Sequence, residues 1–219
     1  MSLRGIKGGT LVLINGVPAS FNNVSHLDMM NLDTVEKVEV VKGGGAVLYG
    51  SEAYGGVINV ITKSEYKNSL HIAAGNKGQR DYSATISAGK LGVTLGRNEM
   101  GETGILTQKQ GTKTINGVRV PYYTGFGDSK KDHLGVSYKF DDKLSFNYMF
   151  DKKKYTIDYL GADNSKLQHF DYDDREHFAQ LHFNDQNGFD ATAYYNERII
   201  RNPDYYHIPI PVRSCLRSP

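Results

Sequence analysis

The chain has 219 residues, enough for one or two ordinary domains, and 26 Lys and Arg against 24 Asp and Glu leave a formal charge of +2. So balanced a charge gives no indication of a nucleic-acid partner. A lone cysteine, Cys215, excludes an internal disulfide, and no run of 18 apolar residues is present to cross a membrane as a helix, although a transmembrane strand needs only about 9–11 alternating residues.

Met1-Ser2-Leu3-Arg4 leads on without the apolar stretch of a signal peptide, so the chain is expected to start inside a domain. Leu11 to Ile14 reads as a strand, with Asn15-Gly16 and Pro18 supplying turn chemistry. Asn22 to Leu32 is weakly helical: Val24, Leu27 and Met30 fall on one face and Ser25 is a candidate cap. Asp33 or Thr34 then resets the chain. Val35 to Val41 alternates Val35, Val38 and Val40 with Glu36, Lys37 and Glu39, the pattern of a half-buried strand. Gly43, Gly44 and Gly45 break it with a sharp turn. A short apolar turn, Ala46 to Tyr49, ends at Gly50. Gly55-Gly56 then opens Val57 to Thr62, a run so apolar that it suits a strand buried on both faces.

After Lys63 the character changes, and a boundary near residue 64 separates this unit from residues 65–219. Seven stretches alternate with period two: they begin at Leu70, Tyr82, Leu91, Leu134, Leu144, Phe178 and Phe189. Lys90, Asp141-Asp142 and Asp185-Gln186-Asn187-Gly188 read as short hairpin links. Between them lie long polar segments, 100–130 and 156–175, expected as loops. Short and long links therefore alternate between the two ends of the strands, an asymmetry proper to transmembrane barrels. The 15 Tyr and 9 Phe suit strands and membrane interfaces.

One stretch carries more than periodicity. Val35-Glu36-Lys37-Val38-Glu39-Val40, Lys42-Gly43, Leu48-Tyr49-Gly50, Ala53 and Gly55-Gly56-Val57-Ile58-Asn59-Val60-Ile61-Thr62-Lys63 resemble, in order and spacing, the C-terminal half of the plug domain of TonB-dependent outer-membrane receptors. The plug motif residues on this resemblance are Glu36, Glu39, Gly43, Tyr49, Gly50, Gly55, Gly56 and Asn59. Leu11 to Pro18 resembles that family's earlier strand, with Asn15 where Asp is usual. Lys37 and Lys42 replace Arg, and Gly44 stands where Pro is common.

The resemblance implies a mainly β fold. Residues 1–64 would be the C-terminal part of a mixed α+β plug. Residues 65–219 would be the first seven or so strands of an antiparallel transmembrane β-barrel, truncated and so an incomplete barrel. It implies an outer-membrane location of the Gram-negative type, contact with outer-membrane lipid, and energy-coupled uptake of a ferric siderophore, haem or cobalamin. TonB would be the partner of the full-length protein, through an N-terminal coupling segment expected to be absent here. This chain alone is then expected not to transport.

Within that frame, Tyr122, Tyr123, Phe126, Tyr159, Phe170 and Tyr172 lie in or beside the long loops. Such aromatics either grip a planar or apolar ligand or form the girdle at the lipid interface. Asp163, Asp171, Asp173 and Asp174 form an acidic run that is either a solvated loop or a Ca²⁺ contact, although no EF-hand spacing is present. Glu36 and Glu39 are either solvated or paired with basic residues of the barrel wall such as Arg80 and Arg97. No other cofactor is expected. No catalytic motif is present: there is no G-x-S-x-G, H-E-x-x-H or P-loop, so an enzyme is not expected. The alternative is a soluble β-rich ligand-binding or adhesion module. It would hide Leu134, Val136, Tyr138, Phe140 and Phe146 in a dry core, where a barrel wall would turn them to lipid.

Overall fold

The computed structural model describes residues 2–3, 6–7, 10–21, 24–25, 30, 32–41, 53, 55–63, 66–115 and 117–201. Two short strands, β1 (Ser2–Leu3) and β2 (Ile6–Lys7), pair with each other and precede β3 (Thr10–Ile14) and β4 (Val17–Pro18). Asn15 and Gly16 join the latter two with φ of 49° and 79°, the left-handed pair that a two-residue hairpin requires. β5 (Ser20–Phe21) pairs with β6 (Val24–Ser25), and a 3-10 turn covers Leu32–Thr34. The helix expected over 22–32 is therefore not formed at Val24–Ser25, where Ser20–Phe21 supplies a strand partner; residues 22–23, 26–29 and 31 lie outside the described residues.

β7 (Val35–Val41) and β8 (Gly56–Thr62) complete a four-stranded sheet in the order β4-β3-β8-β7, with β3 and β8 parallel and β7 and β8 antiparallel. The central β8 is covered along most of its length, as its apolar run demands. β7 departs from expectation. It is the edge strand of its sheet, and Val38, Val40 and Val41 are each about half exposed, at 55%, 48% and 46%. Alternation alone cannot reveal this, because a strand is half-buried only if a second layer covers one of its faces.

The remainder is a single antiparallel sheet. Its strands are β9 (Ser69–Ala74), β10 (Arg80–Ala88), β11 (Leu91–Met100), β12 (Gly111–Ile115), β13 (Val118–Lys139), β14 (Leu144–Leu160), β15 (Lys166–Asn184) and β16 (Asp190–Arg201). The order is β16-β15-β14-β13-β11-β10-β9, with β12 on the far end of β13. All seven strands read from the sequence are present. The sheet ends at β9 and β16 without closing, as an incomplete barrel does. At two of the short links a carboxylate holds the turn: Asp141 accepts from the amides of Lys143 and Leu144, and Asp185 from those of Asn187 and Phe189. These donors hold both carboxyls below the usual aspartate value.

The segments expected as long loops are largely strand. β13, β14 and β15 run to 22, 17 and 19 residues, well beyond the roughly 9–11 that cross a bilayer. Beyond the lipid the buried positions include polar ones such as Thr156 and Asp158, so the apolar alternation that signals a strand disappears. The backbone still pairs with its neighbour, and the hairpins continue.

Burial in this sheet is inside out. The concave face carries buried Thr85, Thr94, His133, Asp151, Asp174 and Gln180. The convex face carries Leu70 and Ile72, 73% and 66% exposed, with Ile86, Leu95, Tyr138 and Phe140. None of Leu134, Val136, Tyr138, Phe140 and Phe146 is buried, which removes the soluble-module alternative. An apolar convex face is what a bilayer stabilises and water does not. Rings mark both limits of the band. Tyr138–Phe140 and Phe183–Phe189 lie near the short turns, at centroid distances of 4.8 and 6.2 Å. Phe150 packs on His177 at 4.7 Å, and the Tyr148 hydroxyl meets His177 Nδ1 at 2.9 Å, at the other limit. No helix among the described residues is long and apolar enough to cross a membrane.

Candidate functional site

The four-stranded unit sits on the concave face. Val12, Ile14, Val17, Ala19, Met30, Ile58 and Val60 form its core, and two wall residues, Met149 and Phe178, reach in to complete it. Polar contacts fix the position around this apolar centre. Asn15 Nδ2 donates to Gln180 Oε1 at 3.0 Å and to Thr62 Oγ1 at 2.8 Å, while Gln180 Nε2 returns a bond to the Asn15 carbonyl at 3.2 Å. Ser83 donates to Asp33, and Lys131 Nζ to the Met30 carbonyl at 3.0 Å. Behind this seam the wall carries its own buried pairs, His133 with Asp151 at 2.8 Å and Arg198 with Asp174 at 2.6 Å.

The proposed ion pairs between unit and wall are not made by the residues named for them. Glu39 pairs with Lys37 at 2.8 Å and accepts from Asn59 at 3.2 Å, while Arg97 binds Asp132 at 2.6 Å. The reason is parity. Arg97 alternates with buried Thr94-side positions and shares the outward face of exposed Leu95, as Arg80 shares that of Tyr82 and Ile86. Neither can reach inward. The Lys37 hydrogen bond, with that of Asn59, lowers the Glu39 carboxyl, and the same contact raises the Lys37 amine. Glu36 is exposed at the start of β7 and Asn59 binds the Gly16 amide at 2.9 Å. Gly55 and Gly56 are buried, Gly56 at a φ of 128° that favours glycine; Gly43, Tyr49 and Gly50 lie outside the described residues.

Above the lipid band the concave face continues without interruption along β14 and β15. The pairing of Phe150 with His177, Tyr155 with Tyr172 and Tyr159 with Gln168 keeps one register throughout. Tyr155, Ile157 and Tyr159 therefore share the face of Asp151, and Phe170 and Tyr172 that of Asp174. On β13 a bulge between Phe126 and Ser129 sets two residues against Thr156 and changes parity, so that Phe126 and Tyr122 join this face. Gly127 sits in the bulge, where an added Cβ would collide with the Thr156 hydroxyl.

The result is a ring cluster. Tyr122 meets Tyr159 at 4.8 Å, Tyr159 meets Phe170 at 5.0 Å, and Tyr155 stacks on Tyr172 at 4.8 Å with planes 7° apart. Lys113 from β12 lies 4.3 Å above Tyr159 and within 6 Å of Tyr122 and Phe170, and it donates to Gln168. Of the six aromatics singled out in the sequence, four take part. Phe126 shares the face but stands 40% exposed, and Tyr123 points the other way, opposite Leu160. Lys113 and Gln168 escape a sequence reading because their segments look like loop. The dipeptide Asn116-Gly117 between Lys113 and Val120 is the signal that finds them, since it marks a two-residue hairpin.

The four carboxylates considered for a cation are not brought together. Asp163 caps Ser165 in a turn, Asp171 meets His169 at 3.2 Å, Asp173 meets Arg175 at 3.2 Å, and Asp174 is on the opposite face with Arg198. Among the described residues no group of three or more His, Cys, Asp or Glu is placed to hold a metal. Consecutive strand residues point to opposite faces, so a run of Asp along one strand cannot converge.

Residues 1–57 match the family described as the TonB-dependent Receptor Plug Domain. Residues 1–57 are thus a plug of the TonB-dependent receptor kind. The chain is 29% identical over 175 residues to the vitamin B12 transporter BtuB of Vibrio cholerae, covering 72% of this chain and 28% of that protein. A hemin receptor of Yersinia enterocolitica is 37% identical over 126 residues, 54% of this chain and 18% of that one. Among solved structures, the ferripyoverdine receptor of Pseudomonas aeruginosa superposes with a TM-score of 0.57 at 12% identity, covering 92% of this chain and 29% of that one. The ferric enterobactin receptor of the same organism gives 0.56 at 15% identity, covering 90% and 34%. The chain thus spans about a third or less of the length of the relatives it matches. The seated four-stranded unit is then the plug, and the inside-out sheet has the fold of a barrel wall. The family is one of transporters and receptors rather than enzymes.

Proposed function

We propose that this receptor takes up a bulky, scarce nutrient across the outer membrane, a ferric siderophore, haem or cobalamin, with TonB driving the plug. The observation that carries the reading is the shared face. The ring cluster around Lys113 lies on the same concave surface that holds the plug, so a solute resting on the rings is already above the gate. The rings are not part of the lipid girdle, which Tyr148, Phe150 and His177 form on the opposite surface. Flat aromatic surface flanked by a cation suits a planar, anionic solute: the rings stack, and the ammonium opposes the charge. The relatives named as a vitamin B12 transporter and a hemin receptor support solutes of this size and shape.

The test is binding to the intact protein in detergent, read by quenching of tyrosine fluorescence with haemin, cyanocobalamin and a ferric catecholate in turn. One of the three is expected to bind. Tyr159→Ala with Lys113→Ala is expected to weaken it by roughly ten-fold or more, since each stacking or cation–π contact is worth on the order of 1 kcal/mol. Binding unchanged in the double variant would sink this placement of the site.

A further inference from the structure

Tyr159 and Phe170 belong to the ring cluster, and between them on the ladder of β14 and β15 lies one charged rung. The rungs run Tyr159–Gln168, Asp158–His169 and Ile157–Phe170. Adjacent strand residues point to opposite faces, so Asp158 and His169 lie on the outward surface, behind the rings. Asp158 is 2% exposed there. Each of its oxygens meets one cation: Oδ1 takes His169 Nδ1 at 2.6 Å, and Oδ2 lies 3.4 Å from Lys166 Nζ. A carboxylate so enclosed depends on those partners staying charged and in place.

The other nitrogen of the same imidazole, His169 Nε2, lies 3.2 Å from Asp171 Oδ1. An ionised carboxylate only accepts, so both ring nitrogens must donate, and only the imidazolium carries a proton on each. Loss of one proton sets the Nε2 lone pair against Asp171 and leaves Lys166 as the one full positive charge on Asp158. Lys166 is itself shared with Glu102, from the segment before β12. Asp171 also lines a groove with Asp128, Lys130, Lys154 and Arg201. The Asp158 hydrogen bond raises the His169 imidazole above its usual value. The clamp's contribution is therefore complete below the unfolded value of about 6.5 and is lost as pH rises through the higher folded value. The register of β14 and β15 shifts between Tyr159 and Leu160, so this rung is among the last before the hairpin becomes irregular, where ladders open most readily. We infer that Asp158 and His169 are positioning residues that clamp the ring-bearing rungs from behind, and that the clamp opens when His169 gives up its proton. Solute capture then weakens as pH rises, a consequence that rests on the rings being the solute site.

The experiment follows amide exchange in the intact protein in detergent, without solute, from about pH 5 to about pH 8. Once the intrinsic pH dependence of exchange is divided out, protection at Asp158, Tyr159, His169 and Phe170 is expected to fall by about five-fold over that range. The rung of Tyr148 and Ala179, lower on the same two strands, is expected to hold. His169→Gln keeps a donor for Asp158 but no charge, and is expected to give the lower protection at every pH. Asp158→Asn is expected to be flat as well. No pH dependence in the unaltered protein, or the same profile in His169→Gln, would overturn the clamp. Solute affinity is then measured for whichever of haemin, cyanocobalamin and a ferric catecholate binds. The ratio of affinities between the unaltered protein and His169→Gln cancels any titration of the solute, and it is expected to fall by about five-fold over the same range. A constant ratio beside a changing protection would overturn the positioning role. If none of the three binds, the uptake reading fails, and the protection profile still decides whether the clamp exists.

Discussion

The plug and the wall are built from similar residues and bury opposite ones. In the plug, Val12 and Leu13 are fully enclosed and the charges of β7 face water. In the wall, Asp174 is fully enclosed and Leu70 and Ile86 stand open. One chain therefore obeys the hydrophobic effect in two solvents, and the place where the rules meet is Phe178. It is a wall residue on the polar face, 1% exposed, and its ring belongs to the plug core. The plug is thus held at its centre by apolar contact and around its edge by hydrogen bonds.

The contrast breaks first at that ring. Phe178→Ala is expected to cost about 3–5 kcal/mol, read as a fall in the urea midpoint of the reconstituted protein together with faster proteolysis of the plug. Loss of midpoint without exposure of the plug would mean that the ring serves the wall alone. Val136→Arg, between the two ring limits, comes next. On a lipid-facing surface it should cost about 2–4 kcal/mol in bilayers, whereas on a water-facing one it would be neutral. A midpoint unchanged in lipid would contradict the outward assignment of that face. Gln180→Ala removes two hydrogen bonds to Asn15 and is expected to cost about 1–2 kcal/mol, seen as quicker amide exchange at residues 10–19 and not at β13.

The smallest effect concerns pH at the short turns. Asp141 and Asp185 have carboxyls lowered by backbone donors. Their contribution is complete above the unfolded value of about 3.9 and is lost as pH falls through the lower folded value. Amide exchange at Asn187 and Phe189 should therefore quicken only below about pH 4. Acceleration at pH 6 would point to a different holding group.

What could be read in advance follows the same division. The seven strands were legible because lipid on one face enforces alternation, and β8 because two neighbours enclose it. The exposure of β7 was not, since alternation is silent about whether a second layer exists. The upper parts of β13 to β15 were not, since polar residues such as Thr156 and Asp158 take buried positions there, which removes the pattern while leaving the pairing. Asn15 and Gln180 are separated by 165 positions, and nothing local to either announces the other. For the site, the aromatic residue types were visible. Their common face was not, because it depends on the bulge at Phe126–Ser129, and Lys113 was hidden behind the Asn116-Gly117 hairpin that should have exposed it.

On the proposed placement of the site, that bulge makes solute recognition hostage to a count of residues. Remove Gly127, and every side chain of β13 from Val118 to Phe126 exchanges sides: Tyr122 swings away from Tyr159 toward the exterior, and Tyr123 takes its place. No ring would be lost from the composition and no strand from the sheet, yet the vestibule would be furnished by a different set of side chains. A single-residue insertion or deletion here is therefore a route by which one scaffold can change what it captures.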